Sequence, residues 1–176
     1  FEYQYDQNGN VTSVQDLSLR PIPNGAGNNW ENIWDYNNRL VESVVDKKDN
    51  SFEYDHVGRR LKMQNGRQIN IYPTENYNLE NRVAVKHIML GDEMLATVKG
   101  TGLAVEVFSI HTDHLTGSNI VTNSSWQVAE LLDYYPYGSA RLDEKTEGFS
   151  EQRKFAGHEL DDSTGFTYMQ ARYYNG

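Results

Sequence analysis

The sequence contains no cysteine among its 176 residues. It therefore has no disulfide framework and no thiol nucleophile. It also lacks the run of about 20 consecutive apolar residues that a membrane helix requires, and no part of it resembles a signal peptide. These absences exclude a disulfide-stapled scaffold, a cysteine enzyme and a helical membrane span in this chain.

Positive charge is scarce as well. Sixteen Lys and Arg stand against 25 Asp and Glu, which gives a net charge of −9. Binding to nucleic acid depends largely on neutralising phosphates. The charge balance therefore argues against a nucleic-acid partner.

The residues that are abundant favour β-structure. The chain has 12 Tyr and 14 Gly together with many Asn, and few Leu and Ala. Aromatic residues are enriched in strands, and Gly and Asn are typical of tight turns. The composition predicts strands and turns with little helix.

A short pattern recurs in the first third of the chain. A Tyr-Asp pair, two variable residues and a glycine follow one another at Tyr5 and again at Tyr54. A contracted copy, WDYNNRLV, contains Tyr36. The first interval is the longer because it holds a Pro/Gly/Asn loop, Pro21 to Asn29. Recurrence of this kind is typical of repeat architectures.

Each unit predicts a β-hairpin. Asp55 begins the turn by accepting backbone N–H bonds, and Gly58 supplies the positive φ of a type I turn with a bulge. Strand alternation then places Leu61 and Met63 on one face, with Arg60 and Lys62 on the other. In the contracted copy, Asn37-Asn38 is predicted to form a two-residue turn.

The rest of the chain continues this pattern of strands. Gly91-Asp92-Glu93 and Asn123-Ser-Ser-Trp126 are predicted turns, and the stretch from Leu142 to Arg153 is the expected place for a short turn or loop. Further strands are predicted at Ile69–Tyr72, Val83–Leu90, Met94–Val98, Val105–His111, Asn119–Thr122, Val128–Tyr135 and Phe166–Tyr174. The fold class is therefore all-β, a continuous antiparallel sheet that must curl, pair or close to protect its edges.

Four ordered segments, with the Tyr-Asp units, resemble the YD repeats and associated core region of Rhs and teneurin-type proteins. They are GDEMLATV (Gly91–Val98), HTDHLTGSNIVTN (His111–Asn123), YYPYGSAR (Tyr134–Arg141) and KFAGHELDDSTGFTYMQARYYNG (Lys154–Gly176). Two departures stand out: Thr116 is inserted before Gly117, and Asn175 replaces the commoner Asp. The cleavage motif of that family would follow Gly176, so autoproteolysis is not carried over.

The resemblance implies a fold and a function. Residues 1–66 would be YD-repeat hairpins, and residues 67–176 an Rhs-associated core region continuous with the same sheet. Such repeats wind a sheet spirally into a hollow shell, and the core helps to plug one end. The implied partners are proteins: the remainder of the shell, an encapsulated C-terminal polypeptide or a neighbouring chain. The implied location is secreted or at the cell surface.

Several side chains could bind a metal or act in catalysis, and each also has a possible structural role. His111, Asp113 and His114 are the best metal candidates, but a site needs further ligands, and Asp113 is expected to cap a turn. Glu159, Asp161 and Asp162 offer carboxylates for acid–base work, yet the sequence DDSTG is typical of a turn before a strand. We therefore predict no catalytic residue, metal or cofactor, and no enzymatic activity.

The tyrosines leave two functions open. Their rings can be buried on a sheet with the hydroxyl bonded at its edge, which favours a non-enzymatic structural shell that encapsulates or presents another polypeptide. Exposed rings, including Trp, can instead stack on sugars. The alternative function is therefore a glycan- or receptor-binding adhesion module.

Overall fold

A computed structural model describes residues 1–15, 29–146, 149–170 and 172–176. The predicted Pro/Gly/Asn loop, Pro21 to Asn29, lies outside this part of the chain except for Asn29. Within the described residues, β-strands dominate and one three-residue 3₁₀ turn, Phe155–Gly157, is present. The predicted all-β fold with little helix is confirmed.

Fourteen strands form one sheet in chain order, and three short strands form a second sheet. The first sheet contains β1 (Glu2–Tyr5), β2 (Val11–Gln15), β3 (Asn29–Trp34), β4 (Leu40–Val45), β5 (Lys48–Tyr54), β6 (Arg60–Asn65), β7 (Gln68–Thr74), β8 (Tyr77–Glu80), β9 (Val83–Leu90), β10 (Glu93–Thr101), β11 (Ala104–Thr112), β12 (Ser118–Thr122), β13 (Val128–Tyr134) and β14 (Ala140–Lys145). The second contains β15 (Glu159–Asp161), β16 (Phe166–Met169) and β17 (Arg172–Tyr174).

Every strand of the large sheet pairs antiparallel with the next along the chain. Connections therefore alternate between the two ends of the sheet. Those that follow odd-numbered strands lie at one end, and those that follow even-numbered strands lie at the other. The stretch from Leu142 was expected to be a turn or loop, but β14 continues to Lys145, so that prediction is wrong at its start.

The turn after β5 has the predicted geometry. The Asp55 carboxylate accepts backbone N–H bonds from Val57 and Arg59 at 3.0 and 2.8 Å, and Gly58 has a φ of 91°. The same pair of bonds to one side-chain oxygen recurs at Asp6, Asp35, Asp113 and Asn123. These turns are local structures dictated by Asp or Asn at the first position.

The contracted repeat is a full turn of the same kind. Asp35 starts it, and Asn38 takes the glycine position with a φ of 59°. The predicted two-residue turn at Asn37-Asn38 is therefore wrong, because Trp34 rather than Tyr36 is equivalent to Tyr54. Asparagine tolerates this left-handed conformation better than most residues.

The final predicted strand is a hairpin. Phe166–Met169 and Arg172–Tyr174 are separate strands, and Tyr168 pairs with Tyr173 across them. Gln170 has a φ of 56°, which breaks the strand there. The prediction of one continuous strand is wrong.

The large sheet carries two hydrophobic cores on its inner face. This is the face that residues 149–170 and 172–176 cover. The first core joins strands β2 to β7 with Phe166 and consists of Val14, Trp30, Leu40, Val45, Phe52, Met63, Tyr72 and Phe166. The second joins strands β10 to β13 with Phe149 and consists of Met94, Phe108, Ile110, Val121, Ala129 and Phe149. We call these strands the first and second half-sheets.

Two adjacent tyrosines show that the sheet is strongly curled. The Tyr173 hydroxyl bonds to that of Tyr54 in β5, and the Tyr174 hydroxyl donates to the carbonyl of Tyr137, after β13. Eight strand spacings of a flat sheet would amount to roughly 38 Å. Consecutive Cα atoms are about 3.8 Å apart, so adjacent side chains reach both strands only because the sheet bends around them.

Candidate functional site: a terminal segment inside the curled sheet

Residues 149–170 and 172–176, which we call the terminal segment, lie on the inner face of the sheet. Their first part is fastened to β12, where Ser118 donates to the carbonyls of Lys154 and Arg153 through its N–H and its hydroxyl. The second part is the hairpin sheet β15–β17. The two parts are joined by a backbone bond of 2.8 Å from Leu160 to Gln152.

A buried ion cluster fastens the hairpin sheet to β6 and β7. One terminal nitrogen of Arg60 lies 2.7 Å from Asp161, and the other lies 2.8 Å from Glu159. The Tyr72 hydroxyl also donates to Glu159. The side chains of Arg60 and Asp161 are each 1% exposed, so neither charge is solvated by bulk water. We call these residues, with Tyr168, the Arg60 cluster.

The Arg60 cluster holds the guanidinium as a cation. Burial lowers the pKa of Arg60, but the carboxylates of Asp161 and Glu159 outweigh burial and hold it well above its ordinary value. The rings of Tyr168 and Tyr72 lie 4.1 and 4.7 Å from the guanidinium carbon and add cation–π attraction. Breaking such a buried pair on one side leaves an uncompensated charge, so the cluster fixes the position of the hairpin sheet.

Arg60 was predicted to lie with Lys62 on the face opposite Met63, and this is wrong. Arg60 and Met63 are both buried. The β5–β6 pairing contains a register shift between Glu53 and Tyr54, and a bulge of this kind rotates the following side chains onto the other face. The bulge therefore brings the arginine inside.

Aromatic packing completes this attachment. The Phe166 ring meets Trp30 edge-on at 4.9 Å, and the Tyr173 ring lies 5.2 Å from Phe52. The last residues therefore pack on the sheet and do not form a tail. Burial of such rings is a major source of stability.

A second buried cluster attaches the start of the terminal segment to the second half-sheet. The Thr97 hydroxyl donates to the Glu151 carboxylate at 2.6 Å, and the Glu151 N–H donates to Glu130, also at 2.6 Å. Glu151 is 1% exposed, and this burial raises its pKa to about 7. Nearby, Phe149 stacks on Phe108 with ring centroids 3.7 Å apart.

Lys154 compensates part of the negative charge in this cluster. Its ammonium lies 3.2 Å from Glu130 and 2.8 Å from Asp143. Burial lowers the pKa of Lys154, but hydrogen bonding to Asp143 and the charge of Glu130 give a net rise. The lysine is thus held charged as a link between β13, β14 and the terminal segment.

A cavity of about 950 Å³ opens between the turns at one end of the sheet and the terminal segment. Its lining includes Tyr54 and Tyr72 from the first half-sheet, and Met94 from the second. Arg60 and Glu159 also line it. The cavity therefore lies where the two half-sheets and the terminal segment meet.

The predicted metal candidates do not line this cavity, although Thr116 of the same turn does. His111 is exposed and contacts Thr122 at 3.4 Å, and Asp113 caps its turn, as expected, by accepting the N–H bonds of Leu115 and Gly117. Thr116, the inserted residue, takes the left-handed position of that turn with a φ of 63°. Among the described residues, no three His, Asp or Glu side chains are placed to hold a metal ion.

The carboxylate candidates divide between two environments. Arg60 brings Glu159 and Asp161 together, whereas Asp162 is exposed in the turn before β16. That turn was predicted, and the N–H bonds of Thr164 and Gly165 to the Asp161 carbonyl confirm it. Because both inner carboxylates bind Arg60, the arrangement suits attachment of the hairpin sheet. The absence of catalytic and metal sites stays a prediction.

Comparison with known proteins places the fold. No model of a known protein family matches the chain. It is 25% identical over 184 residues to the tRNA3(Ser)-specific nuclease WapA of Bacillus spizizenii, an alignment that covers 97% of this chain and 7% of that protein. It also resembles the crystal structure of TcdB2-TccC3 (TM-score 0.70, 19% identity) and the Photorhabdus luminescens Tc holotoxin pore (TM-score 0.69, 19% identity).

These matches establish a shared fold. Each structural match covers 98% of this chain but only 12% and 11% of the other chain. The curled all-β sheet with its terminal segment is thus a fold that occurs within Tc toxin structures. Membership of the Rhs/YD family and the division at residues 66 and 67 stay predictions. Across the described residues, no helix has the length and apolarity needed to cross a membrane.

Proposed function

We propose that this chain is a non-enzymatic structural part of an Rhs/YD-repeat shell that encapsulates or presents another polypeptide, secreted or at the cell surface. Its role would lie in toxin delivery or in cell-surface interaction. Its partners would be the remainder of the shell, the enclosed C-terminal polypeptide or a neighbouring chain.

The observation that carries this proposal is the Arg60 cluster. Arg60 forms ion pairs with Glu159 and Asp161. These ion pairs fix the terminal segment to the inner side of a curved wall. Acid–base catalysis requires a carboxyl group that can exchange protons with a substrate. Glu159 and Asp161 are both bound to a permanent cation, and Asp161, whose pKa burial raises to about 7, is only 1% exposed and so out of reach of a substrate, which supports a structural role.

The matched proteins support the toxin-delivery setting. Two of them are a TcdB2-TccC3 structure and a Tc holotoxin pore, and both are protein assemblies by their names. The tRNA-specific nuclease activity in the name of WapA is that of a protein of which this chain matches 7%. We therefore propose the wall of such an assembly for this chain and not the nuclease activity.

The exposed rings on which the glycan-binding alternative rests are spread over both ends of the sheet and along a row formed by Phe1, Tyr3 and Tyr5. Tyr36 and Tyr137 are exposed in turns that follow odd-numbered strands, and Trp126 is exposed in a turn that follows β12. Trp126 therefore lies at the opposite end of the sheet from the two tyrosines. Stacking on a sugar chain by all three would need them on one surface, so glycan binding stays a prediction.

Limited proteolysis of the protein isolated from its natural source tests the shell proposal. We expect attached or co-purifying polypeptide to resist protease while the sheet is folded, and to be cleaved once denaturant opens it; mass spectrometry would map the cuts. Free cleavage of all such polypeptide in the folded protein would overturn the shell proposal. Cleavage of transfer RNA by this chain alone would overturn the non-enzymatic one.

A further inference from the structure

The two hydrophobic cores are separated by a seam in which two of three buried side chains are polar. We give this name to the inner-face residues Asn78, Val85 and His87 of β8 and β9. All three are buried, and none belongs to either core. The sheet backbone is continuous here, but the apolar packing that makes each half-sheet rigid is interrupted.

The strand pairing beside the seam is also interrupted. β7 and β8 pair at Asn70, Ile71 and Thr74, with a register shift between the last two. Bulges and irregular pairs bend and twist a sheet locally. Register shifts of this kind also occur inside both half-sheets, in the pairs β3–β4, β5–β6, β11–β12 and β12–β13, so the feature that sets the seam apart is the interrupted apolar packing.

The terminal segment bridges the seam. Its hairpin sheet is fastened to the first half-sheet by the Arg60 cluster, and its first residues are fastened to the second half-sheet through Glu151. Three side-chain bonds connect across: Asn78 to the Gln152 side chain at 3.3 Å, Arg153 to the Glu75 carbonyl, and Tyr174 to the Tyr137 carbonyl at 2.7 Å.

These crossing bonds differ in kind from the attachments within each half. Each is a single polar contact, and Arg153 and Tyr174 bond at exposed positions where water can replace the partner. The attachments within each half combine buried charge with stacked rings. The two parts of the terminal segment are also joined by the chain itself and by the backbone bond from Leu160 to Gln152, so opening the seam requires that bond to break together with the three side-chain contacts.

We propose that the sheet is hinged at the seam and that the terminal segment is the clasp that holds the two half-sheets together over the 950 Å³ cavity. Releasing the clasp lets the half-sheets move apart as two rigid bodies and widens the cavity. This proposal rests on the geometry of the fold and does not depend on the proposed shell function.

Pulsed electron–electron double resonance measures distances between paired spin labels and tests the hinge. The chain has no native cysteine that would compete for the label. One labelled pair, Val57→Cys with Leu115→Cys, spans the seam at one end of the sheet. A second pair, Leu103→Cys with Trp126→Cys, lies within the second half-sheet. All four positions are exposed.

The clasp variant carries Tyr174→Phe and Gln152→Ala, which remove two crossing bonds. Its matched control carries Ser163→Ala and Asn119→Ala, which remove two side-chain bonds that do not cross the seam. In the clasp variant we expect the distances across the seam to broaden and shift to longer values, with the distances inside the half-sheet unchanged. The control variant should leave both pairs unchanged.

Two results would overturn the hinge: an unchanged distribution across the seam in the clasp variant, or equal broadening of both pairs, which indicates general loosening. Circular dichroism establishes that each variant keeps its strands. If the double variant does not, Tyr174→Phe alone is measured with the same label pairs, because it removes one hydroxyl and leaves the ring in place.

Discussion

Arg60 and Asp161 are 101 residues apart in sequence, yet their side chains meet at 2.7 Å with both fully enclosed by protein. This contact joins the sixth strand of the large sheet to the first strand of the terminal hairpin sheet. Because neither charge reaches water, the burial of each is stabilised by the other. Denaturation of variants at Arg60 tests that dependence.

Arg60→Leu should lower the free energy of unfolding by about 3–5 kcal/mol, because it leaves Asp161 buried and unpaired. The matched control is Arg59→Leu, the adjacent arginine, whose side chain is 48% exposed and whose ion pair with Asp55 is longer, at 3.3 Å. Exposed pairs contribute about 1 kcal/mol or less. Urea denaturation of both variants gives the comparison, and equal losses would contradict the role assigned to the Arg60 cluster.

Glu151 should make stability depend on pH. Burial raises its pKa from 4.5 to about 7, so the folded protein keeps a proton that the unfolded chain has released. The free energy of unfolding contributed by this group therefore falls as pH rises from about 4.5 to about 7, and is constant above that. Glu151→Gln stays neutral at every pH and removes this fall.

Denaturation curves of wild type and Glu151→Gln across that interval give the measurement. We expect the wild-type protein to lose about 3 kcal/mol relative to the variant. His87, whose pKa burial lowers to about 3, titrates in both proteins, so the difference between the curves isolates Glu151. Parallel curves would show that the pKa of Glu151 is the same in the folded and the unfolded protein.

Gly58→Val should destabilise the protein by about 1–3 kcal/mol. The cost is one of backbone conformation, because φ is 91° at this position and an added Cβ meets only one side-chain atom, at 4.0 Å. Val57→Ala, in the same turn and exposed, is the control and should change little. Melting temperatures report both, and a harmless Gly58→Val would mean that the turn adopts another geometry.

The two cores should respond separately to mutation. Phe166→Ala removes a ring from the first core and should cost about 3–5 kcal/mol, with faster amide hydrogen exchange in β3 to β6. Phe149→Ala should instead speed exchange in β10 to β13. Uniform acceleration across the sheet in both variants would show that the two clusters act as one core.

Local chemistry explains what the sequence predicted well. The turn at Asp55 and Gly58 is specified by five adjacent residues, so it could be predicted without knowing the rest of the fold. Asn38 and Gln170 fill the same left-handed role without a glycine to signal it. For that reason the sequence pattern predicts the turn at Asn38 one residue too far along, and it predicts a continuous strand where the hairpin after Met169 lies.

The candidate site could not be predicted from local sequence patterns, for a physical reason. An arginine beside polar and charged residues in an alternating strand is expected on the solvent face. Only the bulge opposite Tyr54 turns Arg60 inward, and only Asp161 and Glu159 make that burial tolerable. Whether a charged side chain is buried depends on a partner from a distant part of the chain. The periodicity of a strand contains no information about that partner.

The order of the chain has a consequence for its synthesis. Fourteen strands leave the ribosome before the residues that cover their inner face. At about 5–20 residues per second, the 101 residues between Arg60 and Asp161 take roughly 5 to 20 seconds to translate. Throughout that interval Arg60 lacks its partner and the apolar face of the first half-sheet is uncovered, and a second apolar face is added as β10 to β13 emerge, so this chain is most prone to aggregate while it is being translated.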